Sequence, residues 1–223
     1  MANIAIVGAG FMGSAMAWPL SDNGHEVRLV GTHLDQDIIK SCVENGFHPK
    51  LKRKLPARVQ PHYLEDLARA LADVDVIVSG VSSPGVHWIG RTLAPHVKPG
   101  QKILAITKGL EAAADGQLRI LPDVLADELP AAVRDQLTLA AVGGPCIAGE
   151  LAARRPGRDQ QDWAFSVQLV TRKHRVTIQR AAERRADRHA RPGDTILGQA
   201  HVDHVTASFL TRHEEMAERA AEP

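Results

Sequence analysis

Gly8-Ala9-Gly10-Phe11-Met12-Gly13 and Lys108 are the residues of this chain whose types and placement could do chemistry together. The first run fits the pattern G-x-G-x-x-G. It directly follows the apolar stretch NIAIV and opens a segment with helical spacing, which is the context the pattern requires. There Gly8 allows a tight turn, Gly10 lets backbone approach a pyrophosphate, and Gly13 lets the helix pack close on the strand. The helix start then offers N–H groups and a positive dipole end to the anion. A plain strand–helix turn is the alternative, and placement in an alternating α/β chain favours dinucleotide binding. Lys108 stands at the end of the apolar run QKILAIT, with small neighbours Thr107 and Gly109. An ammonium on that rim could bind an anionic substrate or polarise a carbonyl about to accept hydride. A solvated loop lysine is the plainer alternative.

Two further segments sit where strands should end. SGVSSPG (79–85) is small enough to let a ribose pass close to the backbone, or is an ordinary capped helix start in which Ser83 caps and Pro84 leads. GGPCIAGE (143–150) is similar in kind. Its Cys146 has no base in sequence context and reads as a small helix-start residue rather than a nucleophile. The dinucleotide itself should be chosen about 20 residues beyond the glycines, where an acid would hold the ribose 2′-hydroxyl of NAD. Val30, Gly31, Thr32 and His33 stand there instead. Nothing repels a 2′-phosphate and no arginine clamps one, so the expectation is NADP or use of both, with His33 a candidate contact.

The elements that must position these residues alternate. Strands are expected at residues 3–8, 26–31, around 58–60, 74–81, 101–107 and 137–144, the one at 74–81 being rich in β-branched residues. Helices are expected over FMGSAMAWPLSDNG with Gly24 as its stop and Pro19 kinking or shortening it, over DQDIIKSCVENG ending at Gly46, and over YLEDLARALADV. Others are expected after SSPG, over GQLRILPDVLADEL and over PCIAGELAARR. Six strands alternating with helices predict a Rossmann-type, doubly wound, mostly parallel α/β sheet over residues 1–155. Beyond Pro156 arginine crowds and apolar periodicity fades, with only DWAFSVQLV and VTASFL carrying hydrophobic content. Residues 156–223 read as an irregular or disordered Arg-rich tail, a partner-binding arm, or a frame-shifted remnant.

The totals set bounds. With 44% hydrophobic residues, 24% charged and a net charge of +1, the 223-residue chain carries no field suited to nucleic acid or a membrane surface. Cys42 and Cys146 fall in no metal or redox spacing, which suggests a reducing compartment. No bilayer-spanning stretch and no leader is legible, so a cytoplasmic protein is expected, with no metal.

Three segments in order, GAGFMGSAMA, ITKGLE and GGPCIAGEL, resemble the N-terminal domain of NAD(P)-dependent glycerol-3-phosphate dehydrogenases, and VSSPG and KLP (54–56) fall where that family has comparable residues. The resemblance covers roughly residues 3–155. It implies interconversion of dihydroxyacetone phosphate and sn-glycerol 3-phosphate with NADH or NADPH, a step feeding phospholipid synthesis, and it leaves a homodimer open. It implies that Gly8, Gly10, Phe11, Met12, Gly13, His33, Lys108 and Ala148 hold the cofactor. Lys108, Gly144 and Cys146 would meet the phosphorylated substrate. Cys146 and Ile147 stand where serine and phenylalanine are usual. The family's second lysine, its expected acid/base, and its phosphate-binding Arg-Asn pair have no match after residue 155. The expectation is therefore split: cofactor binding survives while catalysis is weak or absent. A ketopantoate-reductase-like or 3-hydroxyacid-dehydrogenase-like enzyme, and a non-catalytic dinucleotide-binding remnant, are the alternatives.

Overall fold

The computed structural model describes residues 1–113, 116–142, 147–153, 167–170 and 175–178. Its first unit is β1 (Asn3–Val7), α1 (Phe11–Asp22) and β2 (Glu26–Val30). Then come α2 (Gln36–Asn45), a two-residue hairpin β3 (Phe47–His48) and β4 (Arg53–Lys54), and β5 (Val59–His62). A single 3₁₀ turn leads into α3 (Leu67–Ala70), followed by β6 (Val76–Ser79), α4 (Val86–Leu93) and β7 (Lys102–Ala105). The hairpin β8 (Leu110–Ala112) and β9 (Leu118–Ile120) precedes α5 (Leu121–Asp127), α6 (Ala131–Arg134), β10 (Thr138–Val142) and α7 (Ala148–Ala153). Strands β11 (Val167–Val170) and β12 (Arg175–Ile178) complete the sheet.

The sheet order is β12-β11-β10-β7-β6-β1-β2-β5. The six strands from β10 to β5 are parallel, while β11 and β12 add antiparallel at one edge. All six expected strands are present, within a few residues of their expected limits. The chain starts in the middle of the sheet, at β1, and builds outward first through β2 and β5, then through β6, β7 and β10. The direction of winding reverses between β1 and β6. In such sheets the loops leaving those two strands part to opposite faces and open a crevice.

Period-two alternation explains why the central strands are apolar throughout. Ile4 and Ile6 of β1 join Leu29, Val76, Val78 and Trp18 in a core beneath α1 and α2. Ala5 and Val7 point the other way, into a core with Ile77, Ile103, Leu93 and Leu125 beneath α4 and α5. Burying each Ile or Leu contributes about 1.5–3 kcal/mol relative to exposure, so the two faces hold the sheet from both sides.

Four local expectations are corrected. Helix α1 runs three residues past Pro19, which lies inside it near its end, and stops at Asn23 and Gly24, where φ is +83°. The helix expected over 63–74 shrinks to a 3₁₀ turn and the short α3. Ser83 does not cap a helix: it lies in a 3₁₀ turn, and its hydroxyl donates to the Lys108 carbonyl at 3.5 Å. Leu118–Ile120 are a strand, because they pair with Leu110–Ala112, and the helix starts only at Leu121. In the expected tail, DWAFSVQLV contributes β11, and RVTI becomes β12. Its remaining residues, including VTASFL, lie outside the described residues. Among the described residues no helix is long and apolar enough to cross a membrane.

Candidate active site

The glycine turn is built where the winding reverses. Gly8 adopts φ +121°, which only glycine takes without strain, and its N–H donates to the Val30 carbonyl at 2.9 Å. Three backbones meet just beyond it. A Cβ on Gly13 would stand 2.0 Å from the Gly8 oxygen, and a Cβ on Gly8 would stand 2.6 Å from the Gly80 carbonyl. A Cβ on Gly80 would lie 2.9 Å from the Gly8 oxygen. Helix α1 therefore seats directly on the ends of β1 and β6, which no side chain at these positions would permit. Gly10 is different: nothing lies within 4 Å of a Cβ placed there. It is the N-cap of α1, with extended backbone at φ −67° and ψ −175°, and the first turn of α1 carries no acid. Its open flank and the unsatisfied N–H groups of the first helical turn suit an anion, so the residues present fit a dinucleotide pyrophosphate.

The turn is held from behind. Asp35, which is buried, accepts through Oδ2 from the Ala9 N–H at 3.0 Å, the Thr32 N–H at 3.0 Å and the Thr32 hydroxyl at 2.7 Å. His48 is completely buried. Its Nδ1 accepts from the Leu51 N–H at 3.0 Å, so Nε2 carries the proton and donates to the Ala9 carbonyl at 3.2 Å. Burial lowers the His48 pKa and keeps the ring neutral, as this arrangement needs. The sequence reading missed both residues. Thr32-x-x-Asp35 has the spacing of a capping box, which was the available signal. His48 gave none, since its partner is 39 positions away.

The remaining sequence candidates fall as follows. Phe11 is half-exposed at the start of α1, and Met12 is partly buried against the core. His33 is exposed beyond β2, its ring edge-on to Trp88 of α4 with centroids 5.0 Å apart. Lys108 follows β7 on the C-terminal edge of the sheet, the edge that also carries Gly8 after β1 and Gly80 after β6. That loop is tied down by the Thr107 hydroxyl, which donates to the Val81 carbonyl at 2.5 Å, and by the Ile106 N–H, which donates to the Ser79 carbonyl at 3.2 Å. Ala148 is buried in α7, in the core beneath α1. Gly144 and Cys146 lie outside the described residues.

A second polar cluster stands next to the Lys108 loop. His87 of α4 contacts Glu128 at 2.6 Å through Nδ1 and Glu111 of β8 at 2.9 Å through Nε2, with Arg91 3.3 Å from Glu128. Both ring nitrogens face carboxylates, so the ring is best satisfied as imidazolium. Its hydrogen bond to Glu128 raises the His87 pKa and lowers that of Glu128.

A parallel sheet wound outward from its centre, with a glycine turn and helix N-terminus at the reversal, defines a Rossmann dinucleotide-binding domain. Residues 3–158 match the model of the NAD-dependent glycerol-3-phosphate dehydrogenase N-terminus, and the chain belongs to that family. An NADP(+)-dependent glycerol-3-phosphate dehydrogenase of Archaeoglobus fulgidus is 38% identical over 153 residues, covering 69% of this chain and 44% of that protein. A glycerol-3-phosphate dehydrogenase [NAD(P)+] of Enterococcus faecalis is 33% identical over 153 residues, covering 67% of this chain and 42% of that protein. The crystal structure of the glycerol-3-phosphate dehydrogenase of Coxiella burnetii superposes with a TM-score of 0.60 at 29% identity, covering 74% of this chain and 46% of the other. The chain thus spans less than half the length of these relatives.

Proposed function

We propose that residues 1–155 form a domain that binds NADP(H) or NAD(H) for the interconversion of dihydroxyacetone phosphate and sn-glycerol 3-phosphate. The observation that carries this reading is the interlock of Gly8, Gly13 and Gly80 at the sheet's reversal, with Gly10 facing open space at the head of α1. Gly10, Phe11, Met12 and Gly13 present the first N–H groups of α1 to the pyrophosphate. Asp35, the acid nearest the end of β2, is turned onto Ala9 and Thr32, so no carboxylate there opposes a 2′-phosphate. His33 stands as the contact on that side. When bound, the nicotinamide supplies the hydride. Lys108, held at the rim by the anchored loop after β7, orients and polarises the substrate oxygen. Gly144, Cys146 and Ala148 are assigned to the same pocket on the family resemblance.

A second reading has a specific observation in its favour. The family's second lysine and its Arg-Asn pair find no match after residue 155, and proton transfer needs a group within about 3 Å of the substrate oxygen. The 223-residue chain then binds the dinucleotide and turns over weakly or not at all. In this proposal residues 156–223 stand in place of the family's second, substrate-binding domain, and their β11 and β12 extend the edge of the same sheet. The partner is a small phosphorylated molecule rather than nucleic acid, consistent with the net charge of +1. The cytoplasm is the proposed location, on the strength of a cysteine usage without a disulfide framework. Fluorescence titration with NADPH and NADH, beside an assay with dihydroxyacetone phosphate, tests both halves. Binding without turnover supports the second reading, turnover supports the first, and absence of binding overturns both. Size-exclusion chromatography decides between monomer and homodimer.

A further inference from the structure

We propose that Asp35 and His48 are positioning residues that grip the two peptide units flanking Ala9, one each, and thereby fix which backbone amides the glycine turn offers to the pyrophosphate. The inference rests on the dinucleotide-binding reading above. A peptide in a glycine turn is the softest part of such a site, because glycine on either side leaves both flanking dihedrals free. Here Ala9, between Gly8 and Gly10, is completely buried, and both of its polar groups are taken by side chains from elsewhere. Its N–H goes to Asp35, from the loop after β2. Its carbonyl goes to His48, from the hairpin after α2.

Each gripping side chain is itself held. The carboxylate of Asp35 also takes the N–H and hydroxyl of Thr32, whose oxygen in turn accepts from the Leu34 N–H at 3.2 Å. The imidazole of His48 is fixed by Leu51 on its far side and stands edge-on to Trp18 of α1, with ring centroids 6.5 Å apart. Flipping the Gly8–Ala9 peptide would take the Ala9 N–H from the buried Asp35 carboxylate, and flipping the Ala9–Gly10 peptide, which also carries the Gly10 N–H, would leave the buried His48 ring N–H without its partner. The Gly8 N–H goes to Val30 and the Ala9 N–H to Asp35, so both point away from the ligand. The amides of Gly10 and of the first turn of α1 remain as the anion-facing set. The grip thus keeps a carboxylate behind the turn from weakening the site: its charge is absorbed by Ala9 and Thr32.

Four variants of the full chain test this: Asp35→Ala, His48→Leu, His48→Asn and His48→Gln. Each is checked for native fold by circular dichroism and titrated with NADPH by fluorescence. A glutamine amide can reproduce the donor at Nε2, whereas an asparagine amide reaches only the Leu51 side. Expected are a loss of affinity of about tenfold or more for Asp35→Ala, His48→Leu and His48→Asn, and a loss within about threefold for His48→Gln. A purely structural role for His48 would weaken Gln and Asn equally. If Asp35→Ala or His48→Leu fails to fold, the Asn and Gln pair still decides. Equal affinities for that pair, or wild-type affinity in Asp35→Ala, overturn the grip while leaving dinucleotide binding intact. No NADPH binding by the wild type overturns the dinucleotide reading and the grip with it.

Discussion

Replacing Gly13 by alanine should damage the fold and the site together, whereas the same change at Gly10 should damage the site alone. At Gly13 the new methyl would sit 2.0 Å from the Gly8 oxygen, with the Gly80 Cα 3.4 Å away. Both neighbours are backbone, so the clash is relieved only by lifting α1 off the sheet by roughly 1 Å or more. Overpacking of this kind costs up to about 3 kcal/mol, and the better helix propensity of alanine returns about 1 kcal/mol. A net loss of about 2 kcal/mol lowers the melting temperature of a chain this size by about 4–8 °C. At Gly10 the methyl meets nothing within 4 Å, and the backbone angles there suit any residue. The poorer N-cap and the stiffer unfolded chain nearly cancel, leaving stability within about 1 kcal/mol of wild type. The methyl does, however, enter the space assigned to the pyrophosphate, and NADPH affinity should fall by about tenfold or more. Differential scanning fluorimetry and fluorescence titration read the two quantities separately. Unchanged melting in Gly13→Ala would refute the close seating of α1. Unchanged NADPH affinity in Gly10→Ala would refute the placement of the ligand.

Three other outcomes are expected. Lys108→Met should abolish the extra thermal stabilisation that dihydroxyacetone phosphate gives to the NADPH-saturated protein, through about a 10–100-fold loss of substrate affinity; an unaltered shift would remove Lys108 from the substrate contact. His87→Ala should destabilise in a pH-dependent way. The raised His87 pKa makes its contribution full below about 6.5 and lost as pH rises through the folded value, while the lowered Glu128 pKa makes its own contribution full above about 4.5 and lost as pH falls. The gap in melting temperature between wild type and variant should therefore be widest between about pH 4.5 and 6.5 and shrink with added salt, since the pair is partly exposed; a gap constant from pH 4 to 9 would contradict the pairing. Burial pushes the Cys42 thiol up to about 11, so in a Cys146→Ser background a thiol reagent at pH 8 should react only after unfolding; rapid labelling of the native protein would show the site to be open.

The parallel sheet was legible because each central strand is buried on both faces and so reads as an unbroken apolar run: Asn3–Val7, Val76–Ser79 and Thr138–Val142 all show it. The glycine turn was legible because its three glycines answer to local geometry. Leu118–Ile120 misled, because their partner strand, Leu110–Ala112, turns a helix-compatible triplet into a hairpin arm through tertiary pairing. Pro19 misled in a smaller way: one missing N–H near the end of α1 does not end a helix whose other face is packed against the sheet. The rear support of the turn was illegible for a different reason. A buried acid and a buried histidine reveal themselves by what they hold, and Ala9, the residue whose N–H and carbonyl they hold, lies 26 and 39 positions away. No local pattern records such a meeting.

Those separations bear on how the protein is made. The turn at residues 8–13 leaves the ribosome before Asp35, His48 and finally Gly80, on which its shape depends. Until β6 has been synthesised, β1 has a neighbour on one side only. Domains assembled from such distant pairings form slowly and expose sticky edges meanwhile. For this chain the nucleotide cradle is translated before the segments that complete it, so nascent-chain care by a chaperone would matter most before β6 arrives.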